Sequence, residues 1–94
     1  MDFEWDPEKD QENITKHGVS FAEARLAWLD PHRVTRKDRK HSSSSEERFF
    51  LLGYVHGAVL TVRFTRRQDT VRILGAGYWR EGKATYEEAN RFRR

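Results

Sequence analysis

Ninety-four residues carrying a net charge of +3 and no cysteine are expected to form one small domain, residues 1–94, and they exclude disulfides and thiolate metal sites. No apolar run approaches membrane length, and the N-terminus MDFEWDPEKD is acidic, unlike a signal peptide, so a soluble cytoplasmic protein without a membrane partner is expected. The charge is segregated: residues 2–12 hold six acidic groups and one lysine, residues 33–41 five Lys/Arg and one Asp, and residues 63–72 four Arg and one Asp. A basic surface laid out in this way points to a polyanionic partner, most simply nucleic acid.

In chain order, residues 3–5 read as a short strand with Phe3 and Trp5 on one face. Asp6 and Pro7 then open a helix as N-cap and first helical residue. That helix runs to about His17 and is very polar, with Ile14 as its one strong apolar residue. Gly18 suits a left-handed C-cap, and Lys16 and His17 suit the negative end of the helix dipole. Ser20 and Glu23 form a capping box for a second helix over residues 21–29, buried along Phe21, Ala24 and Trp28. Asp30-Pro31 ends it. Residues 32–37 form a short edge strand, and DRKHSSSSEE is a polar loop.

From Arg48 the pattern changes to strands. RFFLLGYV and AVLTVRFT flank His56-Gly57, a two-residue hairpin turn, and TVRILGAG follows a loop near residues 66–69. TYEEANRFRR closes the chain as a helix, with Thr85 and Glu88 as a further capping box. The fold class is α+β, a twisted antiparallel sheet with the N-terminal helices on one face and a C-terminal helix. The hairpin register sets Phe50 opposite Arg63, and a four-residue second loop sets Arg63 opposite Arg72. One sheet face then carries Phe49, Leu51, Val55, Leu60, Val62, Phe64, Val71 and Ile73, and the other Arg48, Phe50, Tyr54, Thr61, Arg63 and Arg72. Facing arginines repel unless Glu46 or Glu47 screens them or the face binds phosphate. Tyr54, interleaved with them, suits a stacked single-stranded base.

His17, His32, His41 and His56 lack metal-ligand spacing, so neither a metal nor another cofactor is expected. LGAGYW lacks the lysine of a phosphate loop. A general acid–base set for metal-free RNA cleavage remains, with Lys16, His17 and several arginines as its members.

FEWDPEKDQENITKHGVSFAEA, EERFFLLGYVHGAVLTVRFTRR, VRILGAG and YEE together resemble the BrnT family of toxins from bacterial toxin–antitoxin pairs, over about residues 3–89. The resemblance implies a RelE-like ribonuclease fold and metal-independent RNA cleavage that arrests growth. It also implies a ribbon-helix-helix antitoxin of the BrnA kind, a dimer within the toxin–antitoxin complex, and operator DNA bound only through the antitoxin. Carried over by position, the family's functional residues fall on Lys16, His17, Glu47, Arg48, Arg67 and Arg72. Many members continue R-I-I-S-A-R, whereas here Gly77 stands at the last arginine. Arg80, three residues on, is the expected substitute, and Gly77→Arg is expected to raise activity. Lys16, His17, Arg67, Arg72 and Arg80 are thus the catalytic candidates, with Arg48, Tyr54 and Arg63 as RNA-binding candidates. Two other readings stand beside this one. One is a non-catalytic module whose basic face binds RNA or the antitoxin. The other is an interaction domain whose arginines are internally ion-paired.

Overall fold

The computed structural model describes residues 1–93. In chain order the elements are β1 (Asp2–Glu4), α1 (Pro7–His17), α2 (Phe21–Ala24) continuing as a 3₁₀ helix (Arg25–Leu29), β2 (Val34–Lys37), β3 (Arg48–Val55), β4 (Ala58–Arg67), β5 (Thr70–Gly77) and α3 (Arg80–Ala89). The strands form one sheet in the order β1-β5-β4-β3-β2. β2 to β5 are antiparallel to their neighbours, and β1 joins β5 in parallel, so the α+β fold has a mixed sheet.

The N-terminal caps form as the residues dictate. The Asp6 side chain accepts from Glu8 N–H, Gly18 closes α1 at φ 69, and Ser20 with Glu23 completes a capping box. The hydrogen bond from Ser20 N–H holds the Glu23 carboxyl below its usual range. Ile14 is not the residue by which α1 meets the core; it is 38 % exposed. Asn13 does this instead. Its amide donates to Val19 O at 2.8 Å and Ala76 O at 2.9 Å, and its oxygen accepts from Ala76 N–H at 3.1 Å. β1 ends opposite Arg72. Asn13 therefore takes the place of a neighbouring strand further along β5 and leaves no backbone group of Ala76 unpaired.

The sheet alternation separates two cores. Leu51, Val55, Leu60, Val62, Phe64, Val71 and Ile73 face α1, α2 and the 3₁₀ helix, together with Val19, Phe21, Ala24 and Ala27. Phe3, Trp28 and Phe49 seal this face, with Trp28 edge-on to both Phe3 and Phe64. The intervening residues Leu52 and Val59, with Val34, meet Tyr86 of α3 on the opposite face. α3 begins at Arg80 without a side-chain cap, five residues before the expected Thr85–Glu88 box. Thr85 lies within the helix, its hydroxyl donating to Glu81 O. The helix stops at Ala89, short of the expected RFRR end, and Arg94 lies outside the described residues.

The hairpin at His56-Gly57 has positive φ at both residues, 55 and 86, and sets Phe50 opposite Arg63 as expected. The second turn differs. Arg67 pairs directly with Thr70, so the turn is only Gln68 and Asp69, with Gln68 at φ 57. The register then shifts between Arg63 and Phe64, adding one residue on β5 at Leu74. Arg63 consequently lies opposite Gly75, and Arg72 opposite Thr65. The expected Arg63–Arg72 confrontation does not occur.

Candidate nucleic-acid interface

α3 covers only part of its sheet face. Gly82 sits against Thr61 and Leu52, so close that a Cβ there would fall 1.9 Å from Thr61 Oγ1. Beyond this contact the face stays open. Its next row, read across β2 to β5, is Arg36, Phe50, Arg63 and Gly75. The row after that, across β3, β4, β5 and β1, is Arg48, Thr65, Arg72 and Glu4. Four arginines therefore converge from separate strands because strand alternation turns them to one side.

Their electrostatic settings differ. Arg72 Nη1 donates to Glu4 Oε2 at 2.9 Å, and Arg67 Nη1 lies 3.9 Å from the same oxygen. Arg48 Nε donates to Glu46 Oε1 at 2.8 Å. Glu47, offered by the sequence as a screen for Arg63, pairs with Lys37 at 2.8 Å, and that ammonium holds its carboxyl below the usual range. Among the described residues, Arg36 and Arg63 have no carboxylate partner. The face is thus neutralised at its β1 edge and at its loop, and positive along the middle row.

Tyr54 stands apart from this group. Its ring meets Tyr86 edge-on at 5.4 Å, and its N–H donates to Asp30 Oδ2, which also accepts the Tyr86 hydroxyl at 2.7 Å. Burial raises the Asp30 carboxyl, but the N–H groups of Tyr54 and His32 and the Tyr86 hydroxyl outweigh it, and the net shift is downward. Burial and this carboxylate push the Tyr86 hydroxyl up to about 12.

Lys16 and His17 are exposed at the C-terminal end of α1. The His17 imidazole is perpendicular to the indole of Trp79 at 5.2 Å. That indole lies on Gly77, where a Cβ would fall 2.4 Å from Trp79 Cε2. The space in which an arginine at position 77 would begin is therefore filled by Trp79. The side chain of a Gly77→Arg variant must first displace the indole. Arg80 follows Trp79 as the exposed first residue of α3. His17, Trp79 and Arg80 cluster beyond Gly77, whereas Arg67 and Arg72 gather at Glu4. Four residues of β5 lie between Arg72 and Gly77, which are thus about 15 Å apart at the usual strand rise. The carried-over residues thus form two groups, not one.

Trp79 belongs to the first group. It also lines a groove of about 240 Å³ with Arg36, Phe50, Leu52, Thr61, Glu81, Gly82 and Thr85. Arg36, Trp79 and Glu81 escaped the sequence reading. The signal for Arg36 was its register opposite Phe50, and for Trp79 the small residue two positions before it. Among the described residues, no three His, Asp or Glu side chains converge as a metal site, and no helix is long and apolar enough to cross a membrane.

No curated protein is significantly similar to the chain. The sequence profile of the family described as "Ribonuclease toxin, BrnT, of type II toxin-antitoxin system" matches residues 5–82. The match takes in every element from α1 to β5 and the start of α3, with His17, the open arginine face and Trp79 inside it. The chain therefore belongs to the BrnT family of ribonuclease toxins of type II toxin–antitoxin systems.

Proposed function

We propose that this chain is a single-domain cytoplasmic toxin that cleaves RNA without a metal ion and so arrests growth. The observation that carries the reading is the open sheet face, where Arg63 and Arg36 flank Phe50 without carboxylate partners among the described residues. Guanidinium groups grip phosphate oxygens, and an aromatic ring between them offers a surface to an unstacked base. Cleavage begins when a base takes the proton of a ribose 2′-OH and the oxygen attacks the neighbouring phosphorus. The P–O5′ bond then breaks, leaving a 2′,3′-cyclic phosphate, while an acid protonates the departing 5′-oxygen. His17 is the proposed proton carrier, since imidazole both takes and gives protons near neutrality. Lys16 holds the scissile phosphate beside His17, Arg80 supplies charge that the family arginine at position 77 would give, and Arg67 and Arg72, in the second group, hold a phosphate further along the strand. Arg48 and Arg63 bind the flanking backbone. Tyr54, turned toward Tyr86, retains at most a contact with a distant nucleotide.

The partner in this reading is a ribbon-helix-helix antitoxin that covers the basic face, in a complex containing a toxin dimer. Operator DNA is contacted by the antitoxin alone. RNA and antitoxin then compete, and the complex weakens in high salt.

One observation favours a second reading, a non-catalytic module that binds RNA or antitoxin. Gly77 lacks the family arginine, and Trp79 occupies its space. Purified protein incubated with RNA in the presence of EDTA separates the two. Products ending in 2′,3′-cyclic phosphate support the nuclease, and RNA binding without cleavage supports the module.

A further inference from the structure

We infer that the groove between α3 and the sheet is a nucleobase pocket selective for guanine, with Glu81 as the residue that reads the base. The inference rests on the proposed RNA substrate for the origin of the base, and on geometry for its identity.

The groove has the right walls. Trp79 and Phe50 contribute aromatic surface, Leu52 an apolar floor, and Arg36 a cation. Its volume, about 240 Å³, falls below the roughly 300–1,000 Å³ of pockets that take drug-sized ligands, and it suits one planar base. Trp79 is held against Gly77 and His17, so one wall is ordered before any ligand arrives. The row Arg36–Phe50–Arg63 leads from the groove onto the open face, where the phosphates on either side of a bound base find guanidinium partners.

Glu81 sits in the first turn of α3, where a carboxylate suits the helix dipole, and it also lines the groove. A carboxylate lining a groove beside unpaired arginines works against a polyanion, and among the described residues no cation neutralises it. The repulsion is offset if the carboxylate accepts hydrogen bonds from the ligand. A carboxylate is an acceptor only, with two oxygens side by side. Guanine alone among the four bases presents two parallel donors, N1–H and N2–H, on its Watson–Crick edge. Adenine and cytosine each set one donor beside an acceptor that the carboxylate repels, and uracil sets its one donor between two carbonyls. The Thr85 hydroxyl is committed as a donor to Glu81 O and keeps its acceptor lone pairs for the groove.

The test uses the intact protein and 2′-O-methyl oligonucleotides, which bind but resist cleavage. Each carries eight uridines around one central guanine, adenine, cytosine or uracil, and affinity is read by anisotropy together with Trp79 fluorescence. The guanine oligomer is expected to bind at least tenfold more tightly than the adenine one, the discrimination of one bidentate base contact. Glu81→Gln gives position 81 one donor and one acceptor, a pair that an edge of every base matches, so the guanine preference is expected to collapse to about parity in this variant. Glu81 is exposed, so this variant should fold, and circular dichroism checks that it does. Equal affinities of the parent protein for the four oligomers overturn the inference, as does a guanine preference that persists undiminished in Glu81→Gln. Unmodified oligomers run in parallel keep it separate from the nuclease reading. Cleavage with no base preference overturns the pocket and leaves the nuclease standing. Guanine-selective binding with no cleavage upholds the pocket and removes the nuclease.

Discussion

Glu4 and Arg72 face one another across the one parallel strand pair among the described residues, with Arg72 Nη1 2.9 Å from Glu4 Oε2 and Arg67 sharing the same oxygen. One carboxylate thus restrains two guanidinium groups assigned to RNA phosphate. Glu4→Gln should release both. The expected outcome is RNA binding tightened several-fold at low salt, with a steeper loss of affinity as salt rises. Titrations at two salt concentrations measure it, and an unchanged salt slope would show that these arginines do not reach RNA.

His17 is capped off from structural duty by Gly18, which closes α1 through its N–H to Ile14 O at 2.9 Å. His17→Ala should therefore keep the fold and lose at least about a hundredfold in cleavage rate, the usual contribution of a positioned proton carrier. Growth of cells expressing the variant should recover. Single-turnover cleavage with parental rates would remove His17 from catalysis. A shift in tryptophan emission would instead show that its loss frees Trp79.

Position 77 tests the indole contact. Gly77→Ala places a methyl 2.4 Å from Trp79 Cε2, and Gly77→Arg places a longer chain there. Both should move Trp79 away from His17, visible as altered tryptophan fluorescence, and both should lower RNA cleavage. A Gly77→Arg protein that cleaves faster than the parent would mean that the added charge outweighs the lost wall. Arg80→Ala in the parent background should remove what cleavage remains.

Among the described residues, Asn13 is the one polar side chain that fastens α1 to β5 by hydrogen bonds. Asn13→Ala would strip three buried hydrogen bonds and leave both backbone groups of Ala76 without partners. A loss of about 3 kcal/mol is expected, and urea denaturation measures it. A change below about 1 kcal/mol would mean that water replaces the amide.

Tyr86 and Asp30 make stability depend on pH at both ends. Asp30 is depressed in the folded protein, so its contribution is present above the ordinary carboxylate range and is lost as pH falls through the folded value. Tyr86 is raised to about 12, so its contribution is whole below the ordinary tyrosine value and is lost as pH rises from about 10 to about 12. Tyr86→Phe should cost about 2 kcal/mol at neutral pH and flatten the alkaline limb. Denaturation midpoints at pH 7 and pH 11 give both numbers, and an unaltered alkaline limb would reassign it to another group.

Much of this architecture was legible before any coordinates. The alternation through residues 48–77 separated the two faces correctly, because one face is continuously apolar and the other carries arginines. The turn at His56-Gly57 was visible because glycine announces positive φ. The turn at Gln68-Asp69 was not, because glutamine gives no such signal at φ 57. The bulge at Leu74 left no mark either, and the two together moved Arg63 and Arg72 apart. The start of α3 was hidden for a related reason: Trp79 gives it no side-chain cap, whereas Thr85 and Glu88 imitate one inside the helix. Carried-over positions named His17, Arg67 of β4 and Arg72 of β5 but not the separation between histidine and arginines, which follows from register. Glu81 was invisible as a site residue because a lone acidic group on a polar helix looks like ordinary surface until the groove beside it is seen.

The parallel docking of β1 against β5 has a consequence for the order of synthesis. Glu4 and Arg72 stand 68 residues apart in the chain. The N-terminal strand is made first, yet its only neighbour in the sheet is the last strand to be translated. Contacts of such long sequence separation close late and slowly. While translation continues, Phe3 lacks its β5 neighbour Val71, Asn13 has no Ala76 to bind, and Trp79 has not been added. Nascent chains stalled before Thr70 are accordingly expected to bind no RNA in a filter assay, whereas released chains should. The basic face is complete only once β5, the last strand among the described residues, has been made.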